Sequence, residues 1–297
     1  MSVPLSFVRH QLPMLNAIGR TAALALKQKV VRPRAMPPVP GPILTERLPP
    51  RDPKLVEAFL AHVGSRPGTW ADGQLPPHFF PQWVFARLSR ALEGLPYPVM
   101  AMLNGGCHLT IHRPMPMGEA IDVEVQLTEV DDDGRLAVIT ERCTTGTATA
   151  PAALDIEFHP VVRLPKKKGA GDGPKKDKPT IPTSAREIGR WSLAANAGLE
   201  FALLTGDFNP IHWIPAAAKA AGFKSTILHG FGAMTRAIEA IVADAGGDGT
   251  RLGEIDVRFT RPLVLPADVG AFVDGDRIFV GERPGAEPNM TGRFGLR

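Results

Sequence analysis

The 297-residue chain is 44% apolar and 22% charged, the profile of a globular protein, which excludes a wholly disordered, collagenous or coiled-coil chain. At roughly 100 to 200 residues per domain it makes one large domain or two ordinary ones, and no apolar run approaches the roughly 18 residues of a membrane span. The net charge is +4, but the positive excess sits in two segments, residues 1–45 with six basic side chains and no acid, and residues 166–178 with six lysines against Asp172 and Asp177; the remainder is net acidic, so a basic nucleic-acid groove is unsupported.

In chain order, residues 1–45 read as a basic, Pro-rich N-terminal extension outside the core, with a helix expected from Pro13 to Val31 and a Pro-rich stretch from Pro33 to Pro42. Its lack of acid is shared with transit peptides and membrane-surface helices, but a secretory apolar region and cleavage site are missing. Residues 46–163 form a first domain, with a helix at Gln82 to Leu92 and strands at Cys107 to Ile111, Ala120 to Leu127, Leu136 to Thr144 and Leu154 to Val162, separated by turns such as Asp133-Gly134. Residues 164–183, rich in Lys, Gly and Pro, read as a linker whose composition cannot repay ordering. Residues 184–297 form a second domain: helices at Ala194 to Leu204, Pro215 to Ala221 and Phe231 to Ala243, then a strand from Ile255 to Leu263.

The two domains echo one another. His78 and His229 are 151 residues apart, and Arg113-Pro114 and Arg261-Pro262 are 148 apart, each pair flanking a helix followed by a strand. An internal duplication accounts for both offsets. Consecutive strands with short connections imply an antiparallel sheet, and one long helix covers a face of it, so the class is α+β, twice. Cys107 and Cys143 lack CxxC or zinc spacing, which points to a reducing compartment and a cytoplasmic location.

The densest polar cluster is Gly206-Asp207-Phe208-Asn209-Pro210-Ile211-His212, in a loop between helices. Turn chemistry alone accounts for Gly206-Asp207 and Asn209-Pro210, but a turn does not need the imidazole. A carboxylate and an imidazole converging on one point can hold a water, Asp207 accepting its proton and His212 orienting it or supplying the second proton.

This heptapeptide, with Leu228-His229-Gly230 and Phe259-Thr260-Arg261-Pro262 after it, resembles the hydratase signature of the MaoC-like dehydratase and (R)-specific enoyl-CoA hydratase family. The resemblance covers the second domain well and the first weakly, through the repeat, as in family members of the double hot-dog type. It implies two tandem hot-dog folds, each a long helix wrapped by an antiparallel sheet, forming a pseudodimer. It also implies reversible syn hydration of trans-2-enoyl-CoA to (3R)-hydroxyacyl-CoA. Asp207 and His212 would be the catalytic pair, Asn209 an orienting amide, and Gly230, at a helix N-terminus, the donor to the thioester oxygen. His229 marks the loop and is assigned a structural role.

The first domain lacks the motif. Asp72 and His78 stand near the matching place, and Phe79 occupies the position expected of the oxyanion glycine, so this half is expected to be catalytically silent. His108 and His112 have the spacing of a two-His metal site but no third ligand, and Gly169 to Gly173 lies in the linker and not between a strand and a helix; no metal and no cofactor are expected. The expected partner is an acyl-CoA or acyl-carrier-protein thioester, with a homo-oligomer compatible and no nucleic acid or membrane span. Three alternatives stay open: a 3-hydroxyacyl-carrier-protein dehydratase of fatty-acid or polyketide synthesis; a thioesterase using Glu239, which lies over two turns from Gly230; and a non-enzymatic acyl-binding or assembly subunit.

Overall fold

Capping residues and prolines set the helix starts, and alternating apolar residues set the strands. In the computed structural model, which describes residues 3–12, 14–16, 19, 35–98, 102–164 and 178–297, strand β1 (Leu44–Leu48) leads into helix α1 (Pro53–Val63). Asp52 caps α1 by accepting from Lys54 N at 2.9 Å, Pro53 opens its first turn and Gly64 closes it in the left-handed region. There follow β2 (Gln74–Leu75), α2 (Pro81–Ala91), β3 (Leu103–Ile111), β4 (Met115–Pro116), β5 (Ile121–Asp132), β6 (Leu136–Gly146) and β7 (Leu154–Arg163). The second half repeats this order: β8 (Arg186–Leu193), α3 (Ala197–Thr205), α4 (Pro215–Ala220), β9 (Ile227–Leu228), α5 (Gly230–Asp244), β10 (Leu252–Phe259), β11 (Leu263–Val264), β12 (Ala267–Asp274), β13 (Arg277–Gly281) and β14 (Met290–Leu296).

The ten long strands form one sheet in the order β1-β5-β6-β7-β3-β10-β14-β13-β12-β8. Read from its centre, each side repeats the other, and the halves join where β3 pairs antiparallel with β10. His108 stands opposite Asp256 in that pairing, 148 residues apart, the offset that separates the two Arg-Pro dipeptides. A pseudo-twofold axis therefore passes between them. The short ladders repeat as well: β2 pairs with β4, and β9 with β11. The strand expected from Ile255 to Leu263 divides in two because Pro262 cannot donate to a ladder, and Leu263 pairs with Leu228 instead.

α5 is the central helix of the second half, buried from Phe231 to Val242, and lies against β8, β10, β13, β14 and the neighbouring β3. α2 takes the same place over β1, β5 and β6. One core is shared by both halves: Phe231 packs edge-on against Phe80 at 5.2 Å and against Phe85 and Phe158 at 5.3 and 5.7 Å. No helix among the described residues is long and apolar enough to cross a membrane.

Two expectations meet the coordinates only in part. Most of the helix from Pro13 to Val31 falls outside the described residues, with 14–16 and 19 described and helical, as does most of the Lys-rich linker, although Ile181 at the linker's end is buried. Residues ahead of that helix are not an appendage. The 3-10 turn Leu5–Gln11 packs on α3, with Phe7 joining the core and Gln11 buried, because Phe7 gives this basic segment an apolar anchor.

Candidate active site

The Gly206–His212 bend begins where α3 ends. Gly206 is the left-handed cap of that helix, with φ of 88°, a conformation only glycine adopts without strain, and its N–H closes on Ala202 O at 2.8 Å. Asp207 then turns its carboxylate back on the loop, Oδ1 accepting from Asn209 N at 3.3 Å, while Asn209 Oδ1 accepts from Ile211 N at 3.3 Å to cap the turn Pro210–His212. Asn209 is thus a loop-fixing amide whose side chain is engaged with backbone.

His212 is buried and held by a single directional bond, its Nδ1–H donating to Ile227 O at 2.8 Å. A carbonyl can only accept, so the proton is on Nδ1 and the Nε2 lone pair is left for the site. His229 does more than mark the loop. Its Nε2–H donates to the backbone oxygen of Asp207 at 2.8 Å, and its ring stacks on His212 at 3.6 Å between centroids. The residue expected to be structural therefore fixes both catalytic candidates.

One oxygen or nitrogen from each of Asp207, His212 and His229 lies within 4.8 Å of the others. A water making two hydrogen bonds of ordinary length spans about 4.5 Å. The same spacing could seat a cation, but the His229 nitrogen on the Asp207 side already carries a hydrogen committed to a carbonyl, and a metal ligand must offer a lone pair. The spacing admits a bridging water.

Burial sets the charges. It pushes the Asp207 carboxyl up from its ordinary value, against the opposing pull of His212 and the Asn209 N–H. It pushes His212 down, against Asp207 and the Ile227 bond, and His229 well down, with His212 adding to the effect. The proton affinities of Asp207 and His212 are drawn toward each other, which favours moving a proton between site and water.

Gly230 is the first residue of α5, where an N–H has no carbonyl of a preceding turn to meet. A Cβ there would lie 2.8 Å from the Phe259 ring, so no side chain fits. All four candidates, Asp207, Asn209, His212 and Gly230, line one cavity of about 930 Å³. Its apolar walls include Phe85, Leu88 and Phe158 from the first half and Phe231 from the second.

Among the described residues the first half has no equivalent cluster. Asp72 is exposed, and His78 and Phe79 are fully buried, Phe79 against Phe59 at 4.4 Å. Helix α2 opens at Pro81, behind a 3-10 turn (Pro77–Phe79). Proline has no N–H to donate. Glu239 is buried between Trp70 Nε1 and His78 Nε2, each at 2.9 Å, and does not line the cavity. His108 and His112 face separate carboxylates, Glu254 at 3.3 Å and Asp155 at 2.8 Å.

Sequence reasoning missed Gly198 on α3. A Cβ there would overlap the carbonyl oxygen of His212, so this glycine lets the loop close onto the helix. A lone glycine inside a helical pattern is the signal that could have marked it.

Residues 174–275 match the MaoC like domain. The 3-hydroxyacyl-thioester dehydratase X of Mycobacterium tuberculosis is 28% identical over 264 residues, covering 82% of this chain and 86% of that one. The peroxisomal enoyl-CoA hydratase 2 of Arabidopsis thaliana is 26% identical over 66% of this chain and 67% of its own. Among solved structures, HtdX of M. tuberculosis superposes with a TM-score of 0.68 at 23% identity, covering 86% of this chain and 100% of that chain. Another M. tuberculosis structure, described as a double hotdog fold, superposes with a TM-score of 0.60 at 12% identity over 87% of this chain and 96% of its own. The fold is a double hot-dog.

Proposed function

We propose that this chain, whose residues 174–275 match the MaoC like domain, is a lyase acting on acyl thioesters that hydrates trans-2-enoyl-CoA reversibly to the (3R)-hydroxyacyl thioester through Asp207 and His212. The observation that carries the reading is the convergence of the Asp207 carboxylate and the His212 imidazole, at one-water spacing, on an apolar cavity. Water sits between them, one hydrogen toward Asp207 and the other toward the Nε2 lone pair of His212. Its oxygen bonds to C3 of the conjugated thioester as Asp207 takes a proton, and charge moves to the thioester oxygen. The Gly230 N–H, at the positive end of α5, stabilises that charge. A proton is returned to C2 from the same face, so hydroxyl and hydrogen add syn. Dehydration is the reverse.

The first half is catalytically silent and supplies cavity wall, with Pro81 in place of a donor. Thioester hydrolysis is disfavoured by the engagement of Glu239 with Trp70 and His78. The two free buried cysteines support a cytoplasmic location. Parallel assays with coenzyme A and carrier-protein thioesters distinguish the carrier.

Asp207→Asn preserves the shape of the side chain and removes the base. Hydration of an enoyl-CoA, followed as loss of the conjugated absorbance, is expected to fall by about 10²-fold or more with the melting temperature nearly unchanged. Undiminished turnover in this variant would overturn the mechanism and favour a non-enzymatic acyl-binding role.

A further inference from the structure

Helix α3 ends in the protein interior, where its last carbonyls need partners that water cannot supply. Ala202 O is taken by Gly206 N. Leu203 O and Leu204 O both accept from the side-chain amide of Gln11, at 2.9 and 3.1 Å, from nearly two hundred residues away in sequence. Gln11 is 1% exposed, so without its amide the two carbonyls would be both buried and unpaired.

The amide and its neighbour reach the bend itself. A Cβ on Gly206 would stand 2.9 Å from Gln11 Oε1 and 3.2 Å from Met14 Cβ. Met14 lines the same cavity as Asp207, Asn209 and His212. The segment is anchored at two other points, Phe7 in the shared core and His10 Nε2 at 3.4 Å from Asp52 on the first half.

We infer that the N-terminal segment is part of the active site, with Gln11 a positioning residue for the Asp207 loop and Met14 a wall of the cavity that selects among acyl chains. This rests on the hydratase reading of Asp207. The two Gln11 bonds fix the end of α3 three residues ahead of the carboxylate, so their loss displaces the base relative to His212, which is held independently from Ile227. Displacement of a reacting group lowers turnover more than binding.

The test uses the full chain. Gln11→Met keeps length and loses both donors; per folded molecule, kcat for enoyl-CoA hydration is expected to fall about tenfold, the weight of one net hydrogen bond, with KM within about twofold. Gln11→Glu regains a donor only when its carboxyl is protonated, so its activity relative to wild type at the same pH should rise as pH falls. Met14→Ala should raise, and Met14→Trp lower, kcat/KM for long enoyl chains relative to short ones. Wild-type kcat in Gln11→Met overturns the positioning role, as does a loss that merely follows the folded fraction while Gln11→Glu shows no pH-dependent recovery. An unaltered chain preference in both Met14 variants overturns the selecting role. Where Asp207→Asn is inactive and these variants are not, this inference alone fails; where Asp207→Asn stays active, the hydratase reading fails.

Discussion

One backbone carbonyl, that of Ile227, chooses the tautomer of the His212 imidazole and so suits it to the neutral role proposed for it. Burial then acts oppositely on the two members of the pair, raising the Asp207 carboxyl from its ordinary 3.8 and lowering His212 from 6.5. The proposed hydration needs Asp207 ionised and His212 neutral. As pH falls, His212 holds off its proton below its ordinary midpoint while Asp207 gains one earlier than usual. The kcat/KM profile, measured across a pH series on folded enzyme, should therefore fall on the acid side with a midpoint above the ordinary aspartate value. A midpoint at or below the ordinary carboxylate value would contradict the raised Asp207 carboxyl. Asp207, Asn209 and His212 were legible in the sequence because they share one short bend. Gly198, Ile227 and Gln11 were not, because each acts through a backbone atom or cavity wall far along the chain, and nothing in their own neighbourhood announces the contact.

At the level of elements, helix periodicity marked α2, α3 and α5, and alternation marked β5 to β7, to within a few residues. β3 begins four residues earlier than expected, since Asn104-Gly105-Gly106 reads as a turn. In the sheet these glycines are where strands crowd: a Cβ on Gly105 would lie 2.8 Å from His159 O, and one on Gly106 2.5 Å from Val257 O. β6 carries a conflict that alternation alone would not place there. Glu141 sits at a core-facing position, fully buried, with neither carboxyl oxygen hydrogen-bonded among the described residues. Burial pushes its pKa well above the ordinary 4.5. A raised acid pKa destabilises the fold as pH climbs above the unfolded value, so the penalty is small near pH 4 and grows through neutrality. Glu141→Leu should raise the stability at pH 8 by on the order of 1–3 kcal/mol, seen as a higher melting temperature, with a smaller gain at pH 4.

Across the whole molecule, the halves are joined by the β3–β10 pairing and by Phe231, whose ring touches Phe80, Phe85 and Phe158 of the other half. Arg236 of α5 adds a polar clasp, donating to Gly232 O at 2.9 Å and reaching His62 Nε2 of α1 at 2.9 Å. Most buried apolar side chains belong to one cluster that spans both halves, and the clusters confined to a single half are small satellites of it. Denaturant unfolding should show a single transition, coincident by far-ultraviolet circular dichroism and tryptophan fluorescence. Separated transitions would mean that the halves are independent.

The order of elements, the duplication and the polar bend from Gly206 to His212 are properties of the sequence, since periodicity, turn chemistry and short-range spacing are local and survive in a one-dimensional reading. Which carbonyl sets the His212 tautomer, why the first half has no donor at its helix start, and how an N-terminal glutamine comes to close the end of α3 were decided only by the tertiary structure. Burial leaves each polar atom a few partners within about 3 Å, and the fold alone determines which distant residue stands there.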